Sequence, residues 1–469
     1  MTSKQKLCIM SIFILGLVYF VATMPSEMQS RETKNYIILL IAYVFTGALG
    51  LKEFSRRDYY IFEPYTIAFA LYMIIMVIRP MIDIRNGDYF CHGKDVMDGC
   101  FKGTVIYMAS FMGFQMGYHM VFLKSGYSKK RSEAKSINEY AQEEYTPTVR
   151  TLCIVLWFVG FAFAILFYIF TGRNPISALS LGMLNPVDEI GIIDSSVKFL
   201  MKLAFIMIIP WLYIVRFDKN LFLKILITIL MMLHFIAMGS RYILVVAIVA
   251  WLILPYICQK KAFSFNKALV IFALLLTGAG IMAFIRLDLR SGATADLQGF
   301  SIEDILYVFD SDFTIYRAYY CVVEGVPKFI DYQLGRGLIV YSITSFLPSI
   351  IFPYKRSFDN VASIIGAVIN ERAKMSGIAY INLGQFYAEF GVVGCVLCMA
   401  IFGNICKRMK ELYDSQNTNL NKMILYSALF PFLMQIIIRG DLAQQLNSLI
   451  GIIPPYFIIK WFGKQRNSQ

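Results

Sequence analysis

The sequence predicts an all-α, polytopic integral membrane protein of about twelve transmembrane helices with one large external helical loop. Three observations carry this. Hydrophobic residues fill 58% of the 469 positions and charged residues only 16%, where a soluble domain carries about 25% charged residues. Apolar runs near the roughly 20 residues that span a hydrocarbon core recur along the whole chain. Pro (14) and Gly (31) are few, which favours long helices over the turn-rich pattern of an outer-membrane barrel. The same composition excludes a soluble globular domain, a disordered chain and a disulfide-rich secreted mini-protein.

The runs follow in order. Leu7–Met24 is apolar and leads into a polar loop at Met24-Pro25-Ser26 with no small-residue cleavage site. It therefore reads as a retained helix rather than a leader. Asn35–Leu51, Tyr65–Met81 and Gly103–Leu123 come next. The segment Lys124–Arg150 is polar and charged, with Lys129-Lys130-Arg131 near the membrane. It reads as a solvated linker beside anionic lipid. Thr151–Phe170, Phe199–Val215, Leu221–Met238, Tyr242–Cys258 and Ala268–Ile285 complete a first transmembrane part, residues 1–285. Residues 286–379 form the external loop. Tyr380–Gly403, Met423–Ile438 and Leu446–Phe462 make the last part, 380–469.

Charge placement orients these helices. With the N-terminus inside, most Lys and Arg at span ends fall on the inner side, and the exceptions concentrate in the long loop. Both termini are then cytoplasmic by the positive-inside rule, which applies to short loops. The net charge of +13 is thus a topology signal, and no nucleic-acid partner is expected.

Cys8, Cys153, Cys258, Cys395, Cys398 and Cys406 fall in or near helices, where a thiol packs as a small apolar group. Cys395-x-x-Cys398 lies in an apolar helix and reads as packing rather than as a redox or metal motif. Cys91 and Cys100 share one external loop, Ile82–Lys102, and are expected to be bonded. Cys321 stands in a later loop without an evident partner.

The 286–379 loop is too long to lack structure of its own. Ser301 caps a helix in which Ile302, Ile305, Leu306, Phe309, Phe313, Tyr316, Tyr320 and Val323 recur at three and four residues. Gly325-Val326-Pro327 ends it. A second helix is expected from Asp359 to Arg372, and the apolar stretch Thr344–Pro353 between them reaches the membrane interface. A further span at Leu338–Phe352 is rejected as too short. Glu303, Asp310, Arg317 and Glu324 lie seven apart on one helix face. They form either an ordinary ion-paired surface or a carboxylate–guanidinium cluster facing a polar substrate.

Isolated charges at the outer ends of spans point to a site. Gly239-Ser240-Arg241 is the break between two apolar helices, and Arg439-Gly440-Asp441 breaks the last pair. Arg286 and Arg290 open the long loop. Charges near membrane depth are costly unless paired or hydrated. Four arginines on one side suit an anion, because the guanidinium fork matches phosphate oxygens bidentately. A diphosphate headgroup in the outer leaflet fits them. Glu389 lies inside a helix, as a structural hydrogen-bond partner or as a functional group.

Four segments resemble the Wzy-type oligosaccharide repeat-unit polymerases of bacterial surface polysaccharides. They are Gly239-Ser240-Arg241, the stretch Phe346-Leu347-Pro348 to Phe352-Pro353-Tyr354-Lys355-Arg356, the run Gly384-Gln385-Phe386-Tyr387-Ala388-Glu389-Phe390-Gly391-Val392-Val393-Gly394, and Arg439-Gly440-Asp441. The resemblance implies polymerisation of O-antigen or similar repeat units carried on undecaprenyl diphosphate, outside the bacterial inner membrane. It also implies a flippase and a chain-length regulator as partners, beside membrane lipid. Arg317, Lys355, Arg356 and Tyr387 are then further substrate contacts. The related ligases use a histidine in the long loop, but His92, His119 and His234 all lie outside it. A ligase is therefore the less favoured reading.

In glycosyl transfer from a lipid diphosphate, electrostatics can supply much of the catalysis. Asp310-Ser311-Asp312 has the letters of a metal motif, but positions two apart on a helix diverge by about 200°. The expected mechanism is metal-independent and uses no cofactor. Asp310, Asp312 and Glu389 are the candidate general bases. A flippase or transporter is the main alternative; it favours polar residues and broken helices at the midplane in related halves. A non-catalytic scaffold leaves Arg241 and Arg439 unexplained.

Overall fold

The computed structural model describes residues 3–24, 28–56, 59–91, 93–120, 144–171, 200, 202–237, 241–259, 313–344, 380–414, 419–440 and 442–465. Helix α1 spans Ser3–Ala22 and α2 Ser30–Phe54. Helix α3 (Pro64–Met73) continues through a π-turn, Ile74–Ile78, into α4 (Arg79–Arg85). A two-residue hairpin follows, β1 (Phe90–Cys91) antiparallel to β2 (Lys94–Asp95). Then come α5 (Met97–His119), α6 (Pro147–Thr171), α7 (Ile208–Phe217, entered by a 3₁₀ turn at Ala204–Met207), α8 (Leu221–Ala237) and α9 (Arg241–Gln259). Helix α10 is Tyr316–Gly325. A π-turn at Arg336–Val340 leads into the short α11 (Tyr341–Thr344). Helices α12 (Asn382–Asp414), α13 (Leu420–Arg439) and α14 (Leu442–Gln465) complete the described chain.

Helical segments stand at eleven of the predicted spans; the remaining one, Ala268–Ile285, lies outside the described residues. Among the described residues, five helical stretches are long and apolar enough to cross a membrane: Ser30–Phe54, Pro64–Arg85, Pro147–Phe170, Asn382–Tyr413 and Leu420–Arg439. Shorter apolar helices accompany them. The first loop helix is seen only in its last part, α10, which ends at Gly325 with Val326 as its extended cap, as the Gly-Val-Pro stop requires. The segment Asp359–Arg372 lies outside the described residues. Helical structure at 336–344 was not expected. It starts just ahead of the span rejected at Leu338.

Local chemistry sets the helix starts. Pro64 occupies the first turn of α3, where its missing N–H costs nothing. The Asn419 side chain caps α13 by accepting the Lys422 N–H at 3.0 Å. Packing then follows small residues. Helices α5 and α12 cross so closely that an added Cβ on Gly117 would lie 1.8 Å from the Ala400 carbonyl oxygen, and one on Gly403 2.1 Å from that of Phe114. Between helices in lipid, such close approach is the main source of association.

The bundle has two ends of different chemistry. At one, which we call the Lys410 end, Glu63 is buried and meets Arg56 at 2.7 Å and Lys410 at 3.3 Å. Glu53 pairs there with Arg56 at 2.9 Å and with His119 at 2.6 Å. The knot ties the C-terminal ends of α2, α5 and α12 to the start of α3. Burial pushes the Glu63 carboxyl up against the opposing pull of Lys410 and Arg56. The other end carries Arg439.

Candidate functional site

The Arg439 end is organised around the first half of α12. Its helix breaks at Gly391, whose φ of 67° and ψ of −156° are open only to glycine without strain. Two backbone carbonyls just before the break turn sideways. Ala388 O accepts the Gln333 N–H at 3.0 Å, and Glu389 O accepts the Leu334 N–H at 2.9 Å. The Glu389 carboxylate, fully buried, accepts the Gly335 N–H at 2.8 Å. The Gly337 and Leu338 amides also face it. Glu389 therefore caps the helical turn that begins at Arg336. An acid at a helix N-terminus satisfies orphan N–H groups and the dipole together.

Arg439 is the last residue of α13 and is exposed. Gly440 turns the chain left-handed, with φ of 60°. The turn packs on Tyr380, and the Leu442 N–H donates to Gln385 Oε1 at 3.1 Å. Two segments singled out in the sequence, the Gly384–Gly391 run and Arg439-Gly440, thus meet. Arg439 has no hydrogen bond or ion pair among the described residues.

Helix α9 starts at Arg241 and packs along α13. The pair is antiparallel. Tyr256, near the end of α9, lies 6.2 Å ring to ring from Phe62, and Phe62 accepts the Tyr426 hydroxyl near the start of α13. From that shared level both helices run roughly 20 Å to Arg241 and to Arg439. The two arginine-bearing ends therefore lie at the same end of the bundle.

Arg317 has a different environment from the one expected. It donates to the buried Asp83 at 2.6 Å, to the Asp88 carboxylate and carbonyl, both at 2.8 Å, and to the Phe90 carbonyl at 2.9 Å. Asp83 also holds Arg79 at 2.8 Å and accepts the Tyr316 hydroxyl. Burial opposes the Arg317 charge, but Asp88, Tyr316 and Asp83 outweigh it and raise its pKa. Glu324, seven residues on, pairs with Lys94 at 3.4 Å. The part of the seven-residue stripe that is described, Arg317 and Glu324, thus docks on the β1–β2 hairpin instead of gathering into a cluster of its own. Asp310 and Glu303 lie outside the described residues.

Tyr387 is buried; Lys102 Nζ donates to its hydroxyl at 2.8 Å, and the hydroxyl donates to Val326 O at 3.1 Å. This joins α5, α10 and α12. The expected Cys91–Cys100 bond is not formed. Cys100 turns toward Tyr320 and Thr104, while Cys91 meets Cys321. Asp312, Arg286, Arg290, Lys355, Arg356 and the side chain of Arg241 also lie outside the described residues.

The sequence reading overlooked Arg336. It is exposed, has no ion pair or hydrogen-bond acceptor for its side chain among the described residues, and opens the turn that Glu389 caps. Its signal was present: Gly335-Arg336-Gly337 before an apolar run repeats the logic of Gly239-Ser240-Arg241.

These features define a mostly helical membrane protein in which Arg336 and Arg439, without an ion pair among the described residues, stand at one end of the bundle. No protein-family model matches the chain, and neither a curated protein nor a solved structure matches it.

Proposed function

We propose that the chain is a polymerase that joins lipid diphosphate-linked oligosaccharide repeat units, with undecaprenyl diphosphate as the carrier. It works without a metal at the outer face of the bacterial inner membrane, with both termini cytoplasmic. In this reading the twelve spans and the external 286–379 loop hold as the charge rule orients them, and the Arg439 end faces outward. One observation carries it. Arg439, exposed and without a partner among the described residues, stands at the same end as Arg241, beside the broken half of α12 that the Gly384–Gly391 run builds.

The chemistry follows from charge. The growing glycan leaves its lipid diphosphate as the hydroxyl of a new lipid-linked unit attacks. Arg241 and Arg439, helped by Arg286, Arg290 and Arg336, neutralise the departing diphosphate. A carboxylate takes the hydroxyl proton; Asp310 and Asp312 are the candidates in the loop. Glu389 serves by holding the Arg336 turn in place. Lys355 and Arg356 extend the anion contacts, and a flippase and a chain-length regulator act beside the polymerase.

The test is the surface-polysaccharide ladder at matched protein levels. Arg241→Ala and Arg439→Ala are expected to shorten it strongly. A lost hydrogen bond to a charged group costs about 1.5–3 kcal/mol, which slows a step by roughly 10- to 150-fold. Wild-type ladders from both variants would remove the arginines from the site. Loss of the repeat unit itself in a deletion strain would favour a flippase. Polymerisation by purified protein that stops on adding a chelator would sink the metal-free mechanism.

A further inference from the structure

Cys321 lies one helical turn after Arg317 in α10, and so on the same helix face. Arg317 holds the Phe90 carbonyl at 2.9 Å, which fixes the residue before Cys91. On the other side of Cys321, Glu324 pairs with Lys94, the register partner of Cys91 in the hairpin. Polar contacts therefore bracket the two cysteines from both sides. Each thiol is the strongest electrostatic influence on the other, and both residues are buried. Cys100, the partner expected from loop spacing, is engaged by Tyr320 and Thr104 instead.

We propose that Cys91 and Cys321 are joined by a disulfide that locks the β1–β2 hairpin to α10. The proposal rests on the outward orientation of the Arg439 end, where thiols meet an oxidising compartment. The oxidant is a disulfide-bearing thiol oxidoreductase. One cysteine sulfur attacks the carrier's disulfide, forming a mixed disulfide and releasing one carrier sulfur as a thiol. The second cysteine sulfur, losing its proton, attacks the mixed bond and frees the carrier as a dithiol. The chain loses two protons and two electrons, and the carrier gains both. Exchange occurs as the hairpin and α10 come together, and burial then shields the bond from reductants.

The experiment takes full-length protein from membranes, alkylated under denaturing conditions without reductant, and reads it by peptide mass spectrometry. A peptide pair linked through Cys91 and Cys321 is expected, and reduction should expose two further alkylatable thiols. Cys91→Ser should free Cys321 and remove the linked pair. Free thiols at both positions in wild-type protein overturn the proposal, as does a link from either to Cys100. A Lys328→Cys variant, just beyond α10 and exposed, reports orientation through an impermeant maleimide. Labelling in intact cells with Cys91 and Cys321 free refutes the disulfide alone. Labelling only after lysis refutes the orientation, and with it the disulfide.

Discussion

The guanidinium of Arg317 in α10 lies 2.6 Å from the carboxylate of Asp83 in α4, across 234 positions of sequence. Asp83 is buried and already holds Arg79. The pair pins α10 to the span that precedes the hairpin, and with Asp88 and the Phe90 carbonyl it engages all three guanidinium nitrogens of Arg317.

Arg317→Ala should therefore act on stability before chemistry. Removing one partner of a buried ion pair costs about 3–5 kcal/mol, reduced here by what Arg79 retains. Thermal unfolding in detergent should show a clear loss. Polymer formed per folded molecule should stay near wild type; a specific loss of elongation in well-folded protein would return Arg317 to the site.

Arg336→Ala and Arg439→Ala should show the opposite pattern. Both side chains are exposed and have no partner among the described residues, and substitutions at such positions change stability by no more than about 0.5 kcal/mol. Elongation should fall by roughly 10-fold or more for each. Equal loss of folded protein in these variants would contradict their placement.

Gly391→Ala should destabilise by about 1–3 kcal/mol, the cost of a side chain in this backbone region. Its Cβ would also stand 3.2 Å from the Tyr332 ring. Gly384→Ala, where an added Cβ meets nothing closer than 3.5 Å, is the control. Equal melting temperatures for the two variants would show that the break in α12 relaxes freely.

Asp218 provides a pH test at the Lys410 end. It pairs with Arg150 at 2.5 Å and accepts the Asn220 N–H at 2.7 Å. Burial opposes its charge, yet Arg150, the Asn220 amide and Tyr145 outweigh it and hold the carboxyl below its usual range. A depressed folded-state pKa stabilises above the unfolded value and is lost as pH falls through the folded one. Asp218→Asn should thus melt lower than wild type near neutral pH, and the gap should close below about pH 4. A gap independent of pH would mean that the carboxylate charge contributes nothing.

The sequence by itself determined the class of the protein and the course of its helices. Hydropathy and helical periodicity are local properties, and a membrane demands about 20 apolar residues wherever the chain crosses. Hence α2, α6 and α13 lie where the runs of Asn35–Leu51, Thr151–Phe170 and Met423–Ile438 place them. Arg241 and Arg439 were legible as helix-end arginines for the same reason. Only the tertiary structure decided what each charge faces. Glu389 caps the Arg336 turn because the Gly391 break swings the first half of α12 against residues 333–338. Arg317 pairs with Asp83, and Cys91 meets Cys321 rather than Cys100, because α10 lies across the start of α5 and against the hairpin. Partners more than two hundred residues apart leave no periodic trace along a chain, since packing between helices selects them.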